Sequence, residues 1–127
     1  MKKIIPIILI LLLTACVKNY TEIDSSEYTE WMGGEEYQLY FDSQLKKHYY
    51  PVEVEGKTDG KSNYFRAIFK KIPRGPYFMF RSTHGCITEE FEEINSNTLL
   101  QGYKKIWHQE FESTYGDRLH QATWVKR

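Results

Sequence analysis

The chain has 127 residues, and its 17 Lys and Arg residues balance its 17 Asp and Glu residues. That length suits one small domain, and the balanced charge excludes the basic excess expected of a nucleic-acid-binding domain. Aromatic residues make up 16% of the chain, so they are expected to supply much of its core.

Residues 1–16 predict an exported lipoprotein. Lys2 and Lys3 precede an aliphatic run that ends in Leu13-Thr14-Ala15-Cys16. The run is too short for a transmembrane helix, which needs about 20 residues, and the order of features is that of a secretory signal peptide. Its end resembles a lipobox, which implies cleavage between Ala15 and Cys16 and attachment of lipid, such as palmitate, to Cys16.

The predicted anchor also indicates a location. Stable anchoring takes two or more acyl chains, which a triacylated Cys16 would carry. In Gram-negative lipoproteins an Asp after the lipidated cysteine favours the inner membrane, whereas Val17 stands here. We therefore expect attachment to the outer membrane, facing the periplasm. Residues 1–15 would be the signal peptide, and residues 16–30, which are polar and without period, a tether.

Residues 31–82 predict a first unit with one helix and three strands. The helix is expected at Glu35–Lys47, because apolar residues recur on one face: Tyr37, Tyr40, Phe41 and Leu45. Tyr50, Val52 and Val54 alternate with polar residues, which predicts a strand with these three side chains on one face. A second strand is expected at Tyr64–Ile72. A third, Tyr77–Arg81, is apolar on both faces and is therefore predicted to be central.

Residues 83–127 predict a second unit. Its helix is expected to have Thr88 as N-cap, and its strands are expected at Tyr103–Phe111 and Leu119–Val125. The two halves align with a shift of about 54 residues, typical of a tandem repeat. The predicted fold class is thus α+β, with two consecutive helix-plus-antiparallel-strand repeats (αβββ, then αββ) that share a sheet core.

Short motifs in both halves resemble a known repeat. In the second half they are His84-Gly85-Cys86, Gly102-Tyr103 and Ala122-Thr123-Trp124; in the first they are Tyr37-Gln38, Tyr49-Tyr50-Pro51 and Ala67-Ile68-Phe69. The pattern resembles the bacterial tandem repeat in the non-catalytic half of polyglycine hydrolases. That resemblance implies a binding or scaffolding role, no activity of its own and no cofactor.

The residues offer few candidates for chemistry. A thiol near a helix N-terminus with a histidine beside it is a nucleophile arrangement, so Cys86 and His84 define a thiol-hydrolase hypothesis, against which stands simple packing of Cys86. His48, His84, His108 and His120 lack the close spacing that metal sites favour, so we expect scattered histidines and no metal. An exposed partner-binding patch is the hypothesis for four tyrosines, with core packing as its alternative: Tyr49, Tyr50, Tyr64 and Tyr77.

Three functional hypotheses follow from these patterns. The first is a non-enzymatic, membrane-anchored interaction module for an envelope protein or peptidoglycan. The second is an immunity or inhibitor lipoprotein that blocks an exported toxin or hydrolase. The third is the thiol hydrolase. An incomplete second repeat would leave a sheet edge open, and open edges invite pairing, so a homodimer is a further expectation. Nucleic acid is not an expected partner.

Overall fold

The computed structural model describes residues 27–127, which form two helices and six strands. The predicted signal peptide, Ala15, Cys16 and most of the predicted tether lie outside the described residues. Within residues 27–127, no helix is long and apolar enough to cross a membrane. The elements are β1 (Met32–Gly33), α1 (Gly34–Lys46), β2 (Tyr49–Thr58), β3 (Asn63–Lys71), β4 (Met79–Ile87), α2 (Thr88–Leu100), β5 (Lys104–Glu112) and β6 (Arg118–Lys126).

The six strands form two antiparallel sheets with the same layout. The first sheet has the order β1-β3-β2 and the second has the order β4-β6-β5. Each unit therefore reads strand, helix, strand, strand along the chain, with its last strand in the middle of its sheet. This architecture confirms the α+β class.

The pairing registers of the two sheets also correspond. Met32 pairs with Phe65 in the first sheet, and Cys86 pairs with His120 in the second. Each sheet has a β-bulge at the same place in the strand that follows its helix, at Val52 in β2 and at Ile106 in β5, and the second sheet has a further irregularity between Thr83 and Cys86 of β4. Because a bulge adds one unpaired residue to a strand, a matching bulge is a specific point of agreement between the two units.

One predicted strand has a different place in the fold. Tyr77–Arg81 overlaps β4, which is an edge strand of the second sheet rather than a central strand of the first. Phe78 and Phe80, on one side of this segment, pack on Tyr50, with ring centroids 5.3 and 5.1 Å from the Tyr50 centroid, whereas Tyr77 and Met79, on the other side, are exposed. The prediction of a central position was therefore wrong.

Both helices begin with paired glutamates, whose charge suits the positive end of a helix. These are Glu35 and Glu36 in α1, and Glu89 and Glu90 in α2. The predicted cap is displaced by one residue, because Ile87 is the N-cap of α2 and makes no side-chain cap bond. The Thr88 hydroxyl instead lies 2.7 Å from Nε2 of His120.

Each helix covers one face of its own sheet. The core under α1 is built mainly of aromatic residues and includes Met32, Tyr37, Tyr49, Val54, Phe65, Ala67 and Phe69. The core under α2 is smaller and is centred on Phe91, Ala122 and Trp124, with Cys86, Ile94 and Tyr103 packed at its border. Burial of these side chains supplies the main driving force for folding.

Side chains of the second sheet join the two units by bonding to the backbone of β2. The Gln109 amide accepts from the Gly56 N–H at 2.9 Å and donates to the Gly56 carbonyl at 3.1 Å. Trp107 Nε1 donates to the Val54 carbonyl, and the Thr123 hydroxyl donates to that of Pro51, both at 2.9 Å. These side chains satisfy backbone groups on the edge of β2 that has no neighbouring strand in its sheet, as backbone groups covered by packing require.

Candidate functional site

The four predicted patch tyrosines do not form one exposed surface. Tyr49 and Tyr50 are buried, with 4% and 7% of their surface exposed, so their rings are part of the packing. Tyr77 is 76% exposed and lies in the turn before β4. Tyr64 is half-buried on β3. Core packing, the alternative for these residues, therefore describes Tyr49 and Tyr50, and the four tyrosines do not share one exposed surface.

His84 and Cys86 belong to different clusters. The His84 ring packs edge-on against Tyr37 and Phe65, at 4.7 and 5.0 Å between centroids, and burial lowers its pKa. Cys86 packs beside the core under α2, where burial raises the pKa of its thiol. A raised pKa leaves less thiolate, the nucleophilic form. This geometry gives no support to the thiol-hydrolase hypothesis.

The structure does bring two of the four histidines together. His108 on β5 and His120 on β6 face α2, with His108 Nε2 2.9 Å from His120 Nδ1. Glu110 completes the group, since its Oε2 lies 4.0 Å from His108 Nε2 and 3.8 Å from His120 Nδ1. We call His108, Glu110 and His120 the His–Glu cluster. The expectation of scattered histidines was wrong for this pair.

Surrounding residues fix the orientation of each group in the His–Glu cluster. The Phe91 ring lies almost parallel to both imidazoles, at 4.5 Å from His108 and 4.7 Å from His120. Thr88 Oγ1 is hydrogen-bonded to the other ring nitrogen of His120, Nε2, at 2.7 Å. The Arg118 guanidinium holds the other oxygen of Glu110 at 3.0 Å. One oxygen and two ring nitrogens therefore lie within 4.0 Å of one another.

The three side chains of the His–Glu cluster differ in exposure. The His120 side chain is 6% exposed, whereas those of His108 and Glu110 are 27% and 43% exposed. The pKa of His108 is lowered, first by burial and then by the nearby positive charge of Lys105. A neutral imidazole is the form that ligates metals. The mouth of the cluster is open on the side of Glu110.

The sequence holds one signal for this cluster. His108 and Glu110 are two residues apart in a strand, which puts both side chains on one face. The repeat alignment then places His120 on the adjacent strand, at the position of Phe65 in the first unit. Histidines at core positions of the repeat, rather than at helical spacing, identify His108 and His120, and Glu110 follows on the same face as His108.

A second surface feature lies on the face of the first sheet opposite α1. The Arg66 guanidinium lies over Tyr28 and Trp31, 4.4 and 4.5 Å from the ring centroids, and Lys57 lies 4.4 Å from the Trp31 ring. Glu55 Oε1 accepts from Arg66 Nε at 2.9 Å and lies 2.8 Å from its Nη2. We call Tyr28, Trp31, Lys57, Tyr64 and Arg66 the aromatic–cation face.

Comparison with known protein families shows that the first unit is similar to a structural repeat. Residues 32–72 match a family model described as a polyglycine hydrolase-like structural repeat. The matched segment runs from β1 to the end of β3, so it coincides with one strand–helix–strand–strand unit. No curated protein and no solved structure matches the chain significantly.

Proposed function

We propose that the chain is a cell-envelope lipoprotein that acts as a non-enzymatic interaction module and binds a protein partner through the aromatic–cation face. The aromatic–cation face itself carries this proposal. Trp, Tyr and Arg are the residues most enriched at the energetic centres of protein interfaces, and here they are gathered on one half-exposed sheet face.

The contacts within the aromatic–cation face favour binding because they preorganise it. Arg66 is held by Glu55 and by two rings, and Tyr28 donates to Glu53 at 2.7 Å. Side chains that are fixed before association lose less rotamer freedom when a partner binds. Each exposed cation–π contact contributes only about 0.5–1 kcal/mol, so the arrangement serves to position these residues more than to stabilise the domain.

The proposed anchor rests on the sequence of residues 1–16. Cleavage before Cys16 and lipidation of Cys16 would hold the domain on a membrane, the outer one in an organism with two membranes. Labelling cells with a palmitate analogue should mark the wild-type protein and leave Cys16→Ala unlabelled. An unlabelled wild-type protein that still begins with Met1 would overturn the anchor without affecting the binding face.

Site-specific photocrosslinking in the native cells tests the binding face. A benzophenone amino acid at Tyr64 keeps Trp31 and Arg66 intact and should give a discrete protein adduct, whereas the same probe at exposed Glu92 on α2 should not. Adding Trp31→Ala should abolish the Tyr64 adduct, and adding Leu100→Ala, a matched change at an exposed α2 residue, should leave it unchanged.

Two outcomes contradict the proposed protein partner. One is a Tyr64 adduct that contains muropeptides, which would indicate peptidoglycan binding instead. The other is the same adducts from Tyr64 and Glu92, which would indicate random proximity. Light scattering on the purified protein then tells whether an adduct of twice the chain mass reflects a homodimer.

A further inference from the structure

The His–Glu cluster stands where the first unit has ordinary core residues. Val54 pairs with Ala67 in the first sheet, and His108 pairs with Ala122 in the second. Phe65 faces Gly56, and His120 faces Glu110. The second unit therefore carries two imidazoles and a carboxylate at the positions of Val54, Phe65 and Gly56.

The repeat fold does not require polar groups at these positions. In the first unit Val54 and Phe65 belong to the apolar core under α1, and Phe111 packs against that core at Gly56. In the second unit three polar groups stand at these positions, and their donor atoms lie within 4.0 Å of one another. This convergence points to a ligand that they share.

The chemistry of the three groups defines that ligand. Two imidazole nitrogens and one carboxylate oxygen form a donor set typical of zinc and neighbouring divalent transition metals. We propose that His108, Glu110 and His120 bind one such cation, with water completing its coordination.

The spacing of the donor atoms fits this assignment. Zinc bonds of about 2.0–2.2 Å in a tetrahedral site place the donor atoms roughly 3.3–3.5 Å from one another. The three separations in the His–Glu cluster are 2.9, 3.8 and 4.0 Å, so shifts of well under 1 Å bring all three atoms to the distances of one shared ion. The cation would replace the proton that otherwise lies between the two imidazoles.

The contacts around the cluster match those that support metal ligands. Metal-bound histidines usually donate their other N–H to a fixed partner, and Thr88 Oγ1 holds that position at His120. The Arg118 guanidinium forms an ion pair with Oε1 of Glu110, so Oε2 remains available to the ion. Because Arg118 and Lys105 place positive charge nearby, the expected dissociation constant is micromolar rather than nanomolar.

Calorimetric titration of the full chain, purified in detergent and stripped with a chelator, tests the proposal. Zinc chloride should bind with a stoichiometry of one and raise the melting temperature. Glu110→Gln should weaken binding at least about tenfold, and Thr88→Val should weaken it by about 10–100-fold. His48→Asn, a change at an exposed histidine outside the cluster, should bind as wild type does. Cobalt(II) should give the visible absorption of a site with nitrogen and oxygen ligands.

A variant that copies the first unit separates metal binding from folding. His108→Val with Glu110→Gly installs the residues found at Val54 and Gly56, so the repeat is expected to fold, as circular dichroism would show. Loss of zinc binding in this folded variant supports the site. Undiminished zinc binding in it, loss of binding in His48→Asn, or the absence of any heat with wild type at 100 μM zinc, a level about 100-fold above a micromolar dissociation constant, would overturn the assignment.

Discussion

At the scale of residues, the two units differ most where histidines replace apolar side chains. His120 replaces Phe65 and still stacks on an aromatic ring, that of Phe91. His108 replaces Val54 and also stacks on Phe91, with its ring centroid 5.1 Å from that of His120. An imidazole retains much of the packing of an aromatic ring, so the fold accepts it while gaining a group that titrates and ligates.

His84 gives the domain a dependence on pH. Burial between Tyr37 and Phe65 lowers its pKa in the folded state, whereas the unfolded chain has the ordinary value of about 6.5. The unfolded state therefore binds more protons as the pH falls through that value, and the free energy of unfolding decreases. Urea unfolding in the presence of a chelator should show this loss between about pH 7 and pH 5.

Replacing His84 isolates its share of that pH dependence. His84→Met removes the titrating group, so the decrease between pH 7 and pH 5 should become smaller, although His108, whose pKa is also lowered, keeps part of it. An identical slope for wild type and His84→Met would contradict the buried, uncharged state of His84.

At the scale of elements, the β-bulges decide which side chains reach each core. Tyr50 pairs with Lys70 and Val54 pairs with Ala67, and these two partners lie on opposite faces of β3. The prediction that Tyr50, Val52 and Val54 share one face was therefore wrong. The extra residue Val52 reverses the alternation, and a pattern of apolar residues two apart does not reveal such an insertion.

The ends of the two helices offer a matched comparison. His48 follows α1 with a φ of 68°, and Gly102 follows α2 with a φ of 92°; each N–H donates 3.0 Å to a carbonyl of the last helical turn, that of Leu45 or Leu99. A side chain in this left-handed region is strained, whereas glycine is not.

Exchanging the residue types should change stability in opposite directions. His48→Gly is expected to raise the free energy of unfolding by about 0.5–1 kcal/mol. The strain energy that glycine removes from the folded state exceeds the conformational entropy that glycine adds to the unfolded chain. Gly102→Ala should lower it by about 1 kcal/mol. Chemical denaturation measures both changes. A destabilised His48→Gly would show that the His48 side chain makes a contact worth more than the strain.

At the scale of the whole molecule, stability depends on the contact between the two units. Gly56 on β2 has no side chain, and the ring of Phe111 on β5 fills the space beside it. A Cβ atom added at Gly56 would lie 2.8 Å from Cδ1 of Phe111. The ring also lies 6.1 Å from that of Phe65. The second unit thereby contributes an aromatic side chain to the core of the first.

Gly56→Ala should weaken this contact by overpacking it. The added methyl group would overlap the Phe111 ring, and such overlap typically costs about 1–3 kcal/mol. Gly33→Ala, whose Cβ would meet nothing within 4 Å, is the matched control and should change stability by much less. Thermal unfolding measures both variants.

A second substitution tests whether the steric overlap is the cause. Phe111→Leu in the Gly56→Ala background should recover part of the loss, because contacting residues couple. Strict additivity of the two changes would show that Gly56 and Phe111 do not share this space.

The sequence by itself determined the elements that local periodicity encodes. Helical spacing predicted the first helix at Glu35–Lys47, within one residue of both observed ends, and the start of the second helix near Thr88. The shared order of elements indicated a repeat, which the family match at residues 32–72 supports. Neighbouring residues carry this information, since the helical period and turn residues act over a few positions.

Only the tertiary structure decided which distant residues meet. It paired β4 with β6, buried Tyr49 and Tyr50, separated His84 from Cys86, and placed His108 and Glu110 beside His120. The physical reason is that strand register, bulges and the packing of one unit on the other set these neighbours, and no local period of the chain reports them.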